Sequence, residues 1–199
     1  KEVIEFNKSN LIISQYRPFT KKWLYNGKDI IERPGRMQTL FSDKSVHNVL
    51  YSTGKGTKKD FSVLITNNLP EYMMMDNGQA FPLEILKINE NTLFEDSTLN
   101  IKGFFEMSEE DSFCYVYGVL HSPEYKEKYS SDLKKALPRI PLLKNKEKFV
   151  EIGRKLADLH LNYEHQPSWE GVTVSGEDSG NFKVKKMKHP KKGQLDTIV

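Results

Sequence analysis

An unbroken apolar and aromatic run over residues 113–120 constrains the fold of this 199-residue chain more than any other feature. Ser108 precedes the run and is followed by three acidic residues. This pattern is typical of a helix start, where a hydroxyl caps free N–H groups and the helix dipole favours negative charge. A helix without a polar face has to be buried on all sides. The run therefore predicts a central, buried helix that begins near Ser108.

Two further helices are predicted after this one. Ser122 and Pro123 have the residue types of an N-cap and a first helical position, and Pro138 would end the helix. Between them, large apolar side chains recur every fourth residue, at Tyr125, Tyr129, Leu133 and Leu137. A third helix over about 146–163 carries an apolar stripe at spacings of three and four. The stripe consists of Phe149, Ile152, Leu156, Leu159 and Tyr163.

The first hundred residues predict short strands separated by turns that contain Gly, Asn or Pro. The strands are predicted over 3–6, 11–16, 23–25, 29–31, 46–53, 60–67 and 83–88, with one helical turn over 37–41. A weaker hairpin is predicted from 172–174 and 182–187. These elements indicate an α+β fold, with a mainly antiparallel sheet and a three-helix layer. We expect a single domain over 1–199, with a strand-rich part (about 1–100), a helical part (about 108–164) and a basic hairpin or tail (165–199).

Several stretches together resemble one protein family. They read Y-V-Y-G-V-L-H-S-P-E-Y (115–125), L-P-R-I-P (137–141), I-G-R-K-L-A-D-L-H-L-N-Y-E (152–164), Y-R-P-F-T-K-K-W-L-Y (16–25) and, more weakly, F-P-L-E-I-L (81–86). They are similar to the C-terminal specificity region of type ISP restriction–modification enzymes. That family more often has Asp and Arg at the positions of Thr20 and Lys22. The resemblance spans roughly residues 16–164.

The resemblance implies a function and a parent protein. Type ISP enzymes are single polypeptides that join a nuclease, a helicase-like motor, an adenine methyltransferase and a target recognition domain. This chain would be a fragment that binds a short asymmetric site in double-stranded DNA. It would present the target adenine for N6-methylation to a methyltransferase domain lying N-terminal to it. The chain itself would be non-catalytic and bind no cofactor, whereas the parent would use S-adenosylmethionine, ATP and Mg²⁺.

Three features of the sequence bear on the cellular location of the protein: its apolar runs, its N-terminus and its cysteine content. No apolar run approaches the ~20 residues that span a bilayer, and the N-terminus lacks the pattern of a signal peptide. Cys114 is the single cysteine and lies within the apolar run, where it reads as a small core residue. These features favour a cytoplasmic protein without a membrane partner.

Charge is distributed unevenly, and this favours two regions for contact with a polyanion. Residues 1–60 hold 12 Lys and Arg against 6 Asp and Glu, and residues 121–199 hold 16 against 11. Residues 61–120 hold only 2 against 10. A nucleic acid would therefore meet the first and last regions. In the first region, cations alternate with aromatic residues, which suits phosphate anchoring combined with base or sugar contact. These cations are Arg17, Lys21, Lys22, Arg33 and Arg36. Among the aromatic residues, Phe19 and Trp23 are expected to pack in the core instead.

A second set of candidates surrounds the connection between the strands predicted over 46–53 and 60–67. The connection contains two glycines and three lysines, and a hairpin tip of this kind can enter a groove or straddle a phosphate backbone. Neutral donors and acceptors near both strand ends could read base edges. The set comprises Asn48, Thr53, Lys55, Thr57, Lys58, Lys59, Asn67 and Asn68. The six lysines within 183–192 predict a mobile electrostatic arm instead.

Two alternatives remain open at this point. One is a docking module between methyltransferase and motor, which would bury the stretches 16–19 and 139–141 against a neighbour. The other is a metal-dependent enzyme that uses His160 and Glu164, which lie four residues apart on one helix. The plainer expectation is that His160 bonds to a carboxylate, and that Ser122 caps a helix and is not a nucleophile for His121. The chain contains none of the common nucleotide-binding or hydrolase motifs.

Overall fold

The computed structural model describes residues 5–27, 29–31, 48–83, 106–173, 175–176, 187–194, 196 and 198. Its contacts divide the chain into two units, Lys1–Gln166 and Pro167–Val199. In the second unit, the described residues form no helix or strand; a turn is closed where Val172 N–H donates to Trp169 C=O at 2.9 Å. Most of the hairpin predicted there, and Lys183, Lys185 and Lys186, lie outside the described residues. The single-domain organisation stays a prediction.

All the described helices and strands belong to the first unit. The strands are β1 (Leu11–Arg17), β2 (Thr20–Tyr25), β3 (Val49–Ser52), β4 (Val63–Thr66), β5 (Leu69–Pro70) and β6 (Gln79–Pro82). The helices are α1 (Glu109–His121), α2 (Pro123–Lys128), α3 (Ser130–Leu133) and α4 (Lys146–Leu161). Short 3-10 turns occupy Lys8–Asn10 and Tyr163–His165.

The strands form two small sheets in place of the single sheet predicted. The first has the order β2-β1-β5, with β1 and β2 antiparallel and β5 parallel to β1. The second has the order β4-β3-β6 and is antiparallel throughout. Helices combine with these antiparallel-dominated sheets, so the predicted α+β class is confirmed.

Both faces of the second sheet are buried. Every residue of β3 and β4 is buried, which matches their continuous apolar character. On one face, the paired residues Leu50 and Ile65 join the core formed with α1. On the other face, Tyr51 and its partner Leu64 pack with the loop methionines Met74 and Met75. The sheet thus holds the helices on one side and the loop over 71–78 on the other.

Helix α1 is the buried centre that the sequence predicts. The Ser108 hydroxyl accepts a hydrogen bond from Asp111 N–H at 3.1 Å, and three acidic residues occupy the first turn. Tyr115 and Tyr117 are completely inaccessible to solvent. None of the helices that the structure describes combines the length and apolar character that a membrane-spanning segment needs.

Helices α1 and α4 cross through two glycines. A Cβ atom on Gly153 would overlap the Cys114 carbonyl oxygen, and one on Gly118 would overlap the Phe149 carbonyl oxygen. The two backbones therefore approach as closely as they do only because both residues lack a side chain.

This close crossing corrects the predicted apolar stripe of α4. Ile152 and Leu159 are each 49% exposed, whereas Gly153 and Ala157 are buried. Phe149 and Leu156 of the predicted stripe do pack against the core, so the stripe is wrong at Ile152 and Leu159, where the buried small residues replace them at the helix contact.

The second predicted helix is shorter than expected and is interrupted. Helix α2 ends at Lys128, Tyr129 leaves helical geometry with φ −107° and ψ 17°, and α3 ends at Leu133, before Pro138. The Ser122 cap and Pro123 at the first position are as predicted. The residues Ser130, Ser131 and Asp132 compete with the backbone for hydrogen bonds, which weakens a continuous helix.

Two buried tyrosines hold the segment that follows. The Tyr125 hydroxyl donates to Arg139 C=O at 2.8 Å. The Tyr115 hydroxyl donates to Pro141 C=O at 2.6 Å and accepts from Leu143 N–H at 3.0 Å. These contacts hold residues 139–143 against α1 and α2.

Several strand predictions require correction. Residues 23–25 belong to β2 and pair with β1, and residues 29–31 form a turn in place of a strand. The hairpin turn is at Pro18-Phe19, where Phe19 adopts a φ of 55°. Strand β6 precedes the predicted strand over 83–88, and Glu5 and Phe6 are not in a strand. Residues 3–4, 37–41, 46–47 and 84–88 lie outside the described residues.

Candidate nucleic-acid interface

The connection between β3 and β4, residues 53–62, is called the basic loop here. Gly56 N–H donates to Lys134 C=O at 2.9 Å, and the Thr57 hydroxyl donates to the Asp76 carboxylate. Thr53 Oγ1 accepts from Ser62 N–H at 3.2 Å. These bonds fix the loop at three points, so it is not a free hairpin tip. The hydroxyls of Thr53 and Thr57 hold the loop together and are already engaged in hydrogen bonds.

The three lysines of the basic loop point into solvent. Lys55, Lys58 and Lys59 are all exposed. Lys134, whose carbonyl anchors the loop, brings a further exposed cation to the same surface, 3.6 Å from Asp60 Oδ1. The basic patch is defined as Lys55, Lys58, Lys59 and Lys134. A fixed backbone carrying exposed cations is suited to gripping a phosphate backbone, because the charges are held in place before binding.

Lys134 is not among the DNA-binding residues predicted from the sequence. The only available signal was the repeated lysines of residues 126–135. Its proximity to Gly56 depends on a contact between residues 78 positions apart.

The predicted asparagines lie at the opposite end of the same hairpin. At one end of the hairpin Val49 pairs with Thr66, and Asn48 and Asn67 are the adjacent residues. At the other end Ser52 pairs with Val63, next to the basic loop. Three steps along β4 span roughly 10 Å. The structure therefore divides the predicted set into two groups, one at each end of the hairpin.

Lys21, Asn67 and Asn68 share one small pocket, which the sequence did not predict. The pocket has a volume of about 10 Å³, enough for one water-sized group. Gln15, Thr66, Phe19, His160 and Tyr163 are among its other lining residues. Its polar groups already have partners: Asn68 Nδ2 donates to Asn67 Oδ1 at 2.9 Å, and Lys21 Nζ lies 2.6 Å from Glu164 Oε2, which is outside the pocket lining.

Gln15 is the pocket residue that sequence reasoning missed. It is 3% exposed, and its amide donates to Arg17 C=O at 2.8 Å. Thr66 Oγ1 donates to Gln15 Oε1 at 3.3 Å, which links β1 to β4. No local pattern marks a buried polar residue of this kind in an otherwise ordinary strand.

The predicted alternation of cations and aromatic rings is present around Tyr16. Lys22 Nζ lies 3.7 Å and Arg17 Cζ lies 4.1 Å from the centre of the Tyr16 ring. Arg17 also pairs with Glu71 at 2.5 Å, so its charge is partly neutralised, whereas Lys22 is exposed. Arg33 and Arg36 lie outside the described residues.

The geometry around His160 does not resemble a metal site. Tyr117 OH lies 2.5 Å from His160 Nδ1 and accepts from Ile65 N–H at 3.2 Å. The expected carboxylate partner of His160 is thus replaced by a phenol. Glu164 pairs with Lys21 instead. Within the described part of the chain, no three His, Cys, Asp or Glu side chains are grouped so that they could hold a metal ion.

Ser122 caps a helix, as predicted, and His121 packs against other rings. Ser122 Oγ accepts from Tyr125 N–H at 3.3 Å, as a helix cap does. The His121 ring contacts the rings of Tyr117 and His160 edge to face, at centroid distances of 4.6 and 5.7 Å. The two histidines and Tyr117 therefore form a packed aromatic cluster.

Burial perturbs both histidines in the same direction. Desolvation lowers the pKa of His121 to about 4, and the positive charge of Lys126 acts in the same direction, as would a proton on His160. Burial also lowers the pKa of His160. Both rings are therefore neutral in the folded protein at neutral pH, and protonation is disfavoured as long as the cluster stays packed.

These pKa shifts predict that the fold is acid-sensitive. In the unfolded chain each histidine has a pKa near 6.5. Below that pH the unfolded chain therefore binds more protons than the folded chain, and acid favours unfolding. The contribution of the two neutral histidines to the stability of the fold is complete above about pH 6.5 and is lost as the pH falls toward 4. We expect a loss on the order of 1–3 kcal/mol in the free energy of unfolding, limited by partial solvent exposure.

Urea unfolding at pH 7, 5.5 and 4.5 measures this loss. His121→Gln should flatten the pH dependence, whereas His165→Gln, at an exposed position, serves as the control and should not change it. An unchanged acid slope in the His121→Gln variant would show that His121 does not cause the loss.

Comparison with known proteins adds an independent result. The chain matches the family model for the type ISP C-terminal specificity domain over residues 1–199. A comparison with curated proteins gives no match. The type ISP restriction–modification enzyme LlaGI, solved as a nuclease-deletion mutant in complex with a DNA substrate mimic, is 44% identical with a TM-score of 0.80. The match covers 100% of this chain and 15% of the LlaGI chain.

Two further solved structures are similar. The ATP-dependent type ISP enzyme LlaBIII bound to DNA is 38% identical with a TM-score of 0.83, over 100% of this chain and 14% of that one. A cryo-electron microscopy structure of a DrdV–DNA complex is 30% identical with a TM-score of 0.70, over 81% of this chain and 17% of that one. This chain thus corresponds to a small part of each of these proteins. With its full length matched, it belongs to the family of type ISP C-terminal specificity domains.

Proposed function

We propose that this chain recognises a specific sequence in double-stranded DNA and positions a target adenine for N6-methylation. The methyl transfer would be carried out by a methyltransferase domain that precedes it in the same polypeptide. The observation that carries the proposal is the match of the whole chain to two type ISP enzymes solved with DNA or a DNA mimic. In this proposal S-adenosylmethionine, ATP and Mg²⁺ are bound outside this chain, and the enzyme acts in the cytoplasm.

The two ends of the β3–β4 hairpin would have different tasks. The basic patch would contact phosphates, which fixes the position of the domain on the duplex without reading sequence. The amides of Asn48, Asn67 and Asn68 are of the type that pairs with adenine in the major groove, through its N6 and N7 atoms. In the free protein Asn67 and Asn68 bond to each other, so reading a base would require this bond to be exchanged.

The docking-module alternative is less well supported by the contacts. Of the surfaces that it requires, Phe19 packs edge to face on His160 and Tyr163, at 5.4 and 5.2 Å. Arg139 and Pro141 are bonded through their carbonyls to the two buried tyrosines of the domain. Both stretches therefore have defined contacts within the domain, although Phe19 and Arg139 also remain exposed.

The proposal is tested with a hybrid enzyme in which this chain replaces the matching segment of LlaBIII. Methylated adenines are mapped by sequencing DNA that has been exposed to the hybrid enzyme. We expect the methylated sequence to change, since the specificity segment has been exchanged while the catalytic parts remain. A hybrid carrying the LlaGI segment controls for tolerance of the exchange. Methylation that stays at the LlaBIII site would show that recognition lies elsewhere.

A further inference from the structure

One face of the β1–β2 hairpin exposes large apolar side chains. Ile13 and Trp23 are directly opposite each other in the antiparallel register, and so are Leu11 and Tyr25. Because side chains alternate along a strand, these four residues share one face. Trp23 is 72% exposed and Ile13 is 43% exposed. We call this surface the hairpin face. The expectation that Trp23 and Phe19 pack in the core is therefore wrong, since Phe19 is also 45% exposed.

Phe6 extends the hairpin face beyond the end of the strands. It is 67% exposed, and its ring centre lies 5.4 Å from that of Tyr25. The Tyr25 hydroxyl accepts from Asn7 N–H at 3.0 Å, which fixes this contact. The exposed surface therefore includes rings from two separate stretches of the chain, held together by a defined hydrogen bond.

The same face is covered at its other end. The next pair along the register, Gln15 and Lys21, is packed against the rest of the domain: Gln15 is 3% exposed and Lys21 pairs with Glu164. The face thus changes from covered to uncovered along one hairpin. A contiguous exposed apolar patch of this kind marks an interaction site, because it is unfavourable in water.

The chemistry of the hairpin face favours a protein as its partner. Phe6, Leu11, Ile13, Trp23 and Tyr25 carry no charge, whereas the cations Arg17 and Lys22 are grouped around Tyr16, and Lys22 belongs to the opposite face by register. A duplex is held mainly through its phosphates by cations, but the centre of a protein interface is apolar and rich in aromatic residues.

We propose that the hairpin face docks onto the preceding part of the same polypeptide in the parent enzyme. The family is a C-terminal domain, and its relatives LlaGI and LlaBIII are far longer, since this chain covers only 15% and 14% of them. The backbone enters the first sheet through Phe6, at the uncovered end of the face. The hairpin face therefore lies near the point at which the described chain begins. The inference rests on membership of a longer enzyme, and not on DNA recognition.

Thiol labelling of the full-length parent enzyme, without DNA, tests this docking. Cysteine is introduced by Trp23→Cys or, as a matched control, by Tyr72→Cys, because Tyr72 has a nearly equal exposure of 69% and lies outside the hairpin face. Maleimide modification of each peptide is followed by mass spectrometry. We expect Cys labelling at position 23 to be at least about tenfold slower than at position 72, since docking covers the former.

Ile13→Cys is a second variant that leaves Trp23 in place. The Trp23→Cys substitution removes the indole and could itself expose position 23. Slow labelling at position 13, with Trp23 intact, supports docking in that case too. Labelling at both positions as fast as at position 72 overturns the proposal. If the introduced cysteine is protected from maleimide only when duplex DNA is added, the hairpin face binds nucleic acid. If the protection disappears on dilution, the face binds a second copy of the enzyme. Either result overturns docking within one polypeptide.

Discussion

Replacement of Lys55, Lys58 and Lys59 by alanine should weaken duplex binding by the full-length enzyme about 10- to 100-fold at physiological salt. The reason is that each lysine neutralises a phosphate and releases a counterion. The slope of log affinity against log salt concentration should become shallower by about 2.7, which corresponds to three lost contacts at about 0.9 each. Fluorescence anisotropy with a labelled duplex over a salt series measures both quantities.

A variant with the same change in net charge controls for this experiment. Lys144, Lys148 and Lys155 are exposed and lie on or next to α4, away in sequence from the basic loop. Their replacement by alanine should leave affinity within about threefold of the parent, because surface charges that contact no phosphate act only through screened, long-range attraction. Equal weakening by both triple variants would mean that net charge and not the basic patch governs binding. Unchanged binding by the first variant would mean that its lysines are only solvated.

Gly153→Ala should destabilise the domain by about 2 kcal/mol, although alanine is the better helix former by about 1 kcal/mol. The added methyl group would overlap the Cys114 carbonyl oxygen, which belongs to a buried helix backbone and cannot move aside on its own. Helices α1 and α4 would have to separate, and the contacts of Phe149 and Ala157 with the core would loosen. Urea unfolding of the 199-residue chain measures the change.

The reciprocal substitution makes this prediction sharper. Gly118→Ala pushes against the same crossing from the other helix, so its effect should not add to that of Gly153→Ala. Once one methyl group has separated the helices, the second methyl group overlaps less with the opposite backbone. The double variant should therefore lose less free energy of unfolding than the sum of the two single variants. Lys148→Ala, at an exposed position on α4, is the control and should stay within about 0.5 kcal/mol. A Gly153→Ala variant more stable than the parent would disprove the close crossing.

Features of the fold that depend on neighbouring residues were predictable from the sequence. The caps at Ser108 and Ser122, the buried course of α1 and the antiparallel β3–β4 pair all follow from patterns within a few residues. The crossing of α1 and α4 was not predicted, because a glycine inside a helix reads as a weak helix former until its partner is known. For the same reason, Ile152 and Leu159 were wrongly included in the apolar stripe of α4, whereas Phe149 and Leu156 do pack against the core.

The candidate site shows the same division. Exposure of the lysines in the basic loop follows from their position between two strands. The pocket that joins Lys21 to Asn67 depends on pairing of β1 with β5, across residues 55 positions apart in sequence. Likewise, a hairpin of four-residue strands places the asparagines and the lysines at opposite ends, which only the register reveals. Distances of this kind are set by tertiary pairing, and single-sequence patterns contain no record of them.

The bonds from Tyr115 and Tyr125 to the segment after Pro138 limit how this family can diverge. Phenylalanine would fill the same space and satisfy the apolar surroundings of both rings. It would nevertheless leave the carbonyls of Arg139 and Pro141 without the donors that hold them, in a stretch that belongs to no sheet among the described residues. At these two core positions, the constraint on evolutionary exchange is a single oxygen atom and not the size of the ring.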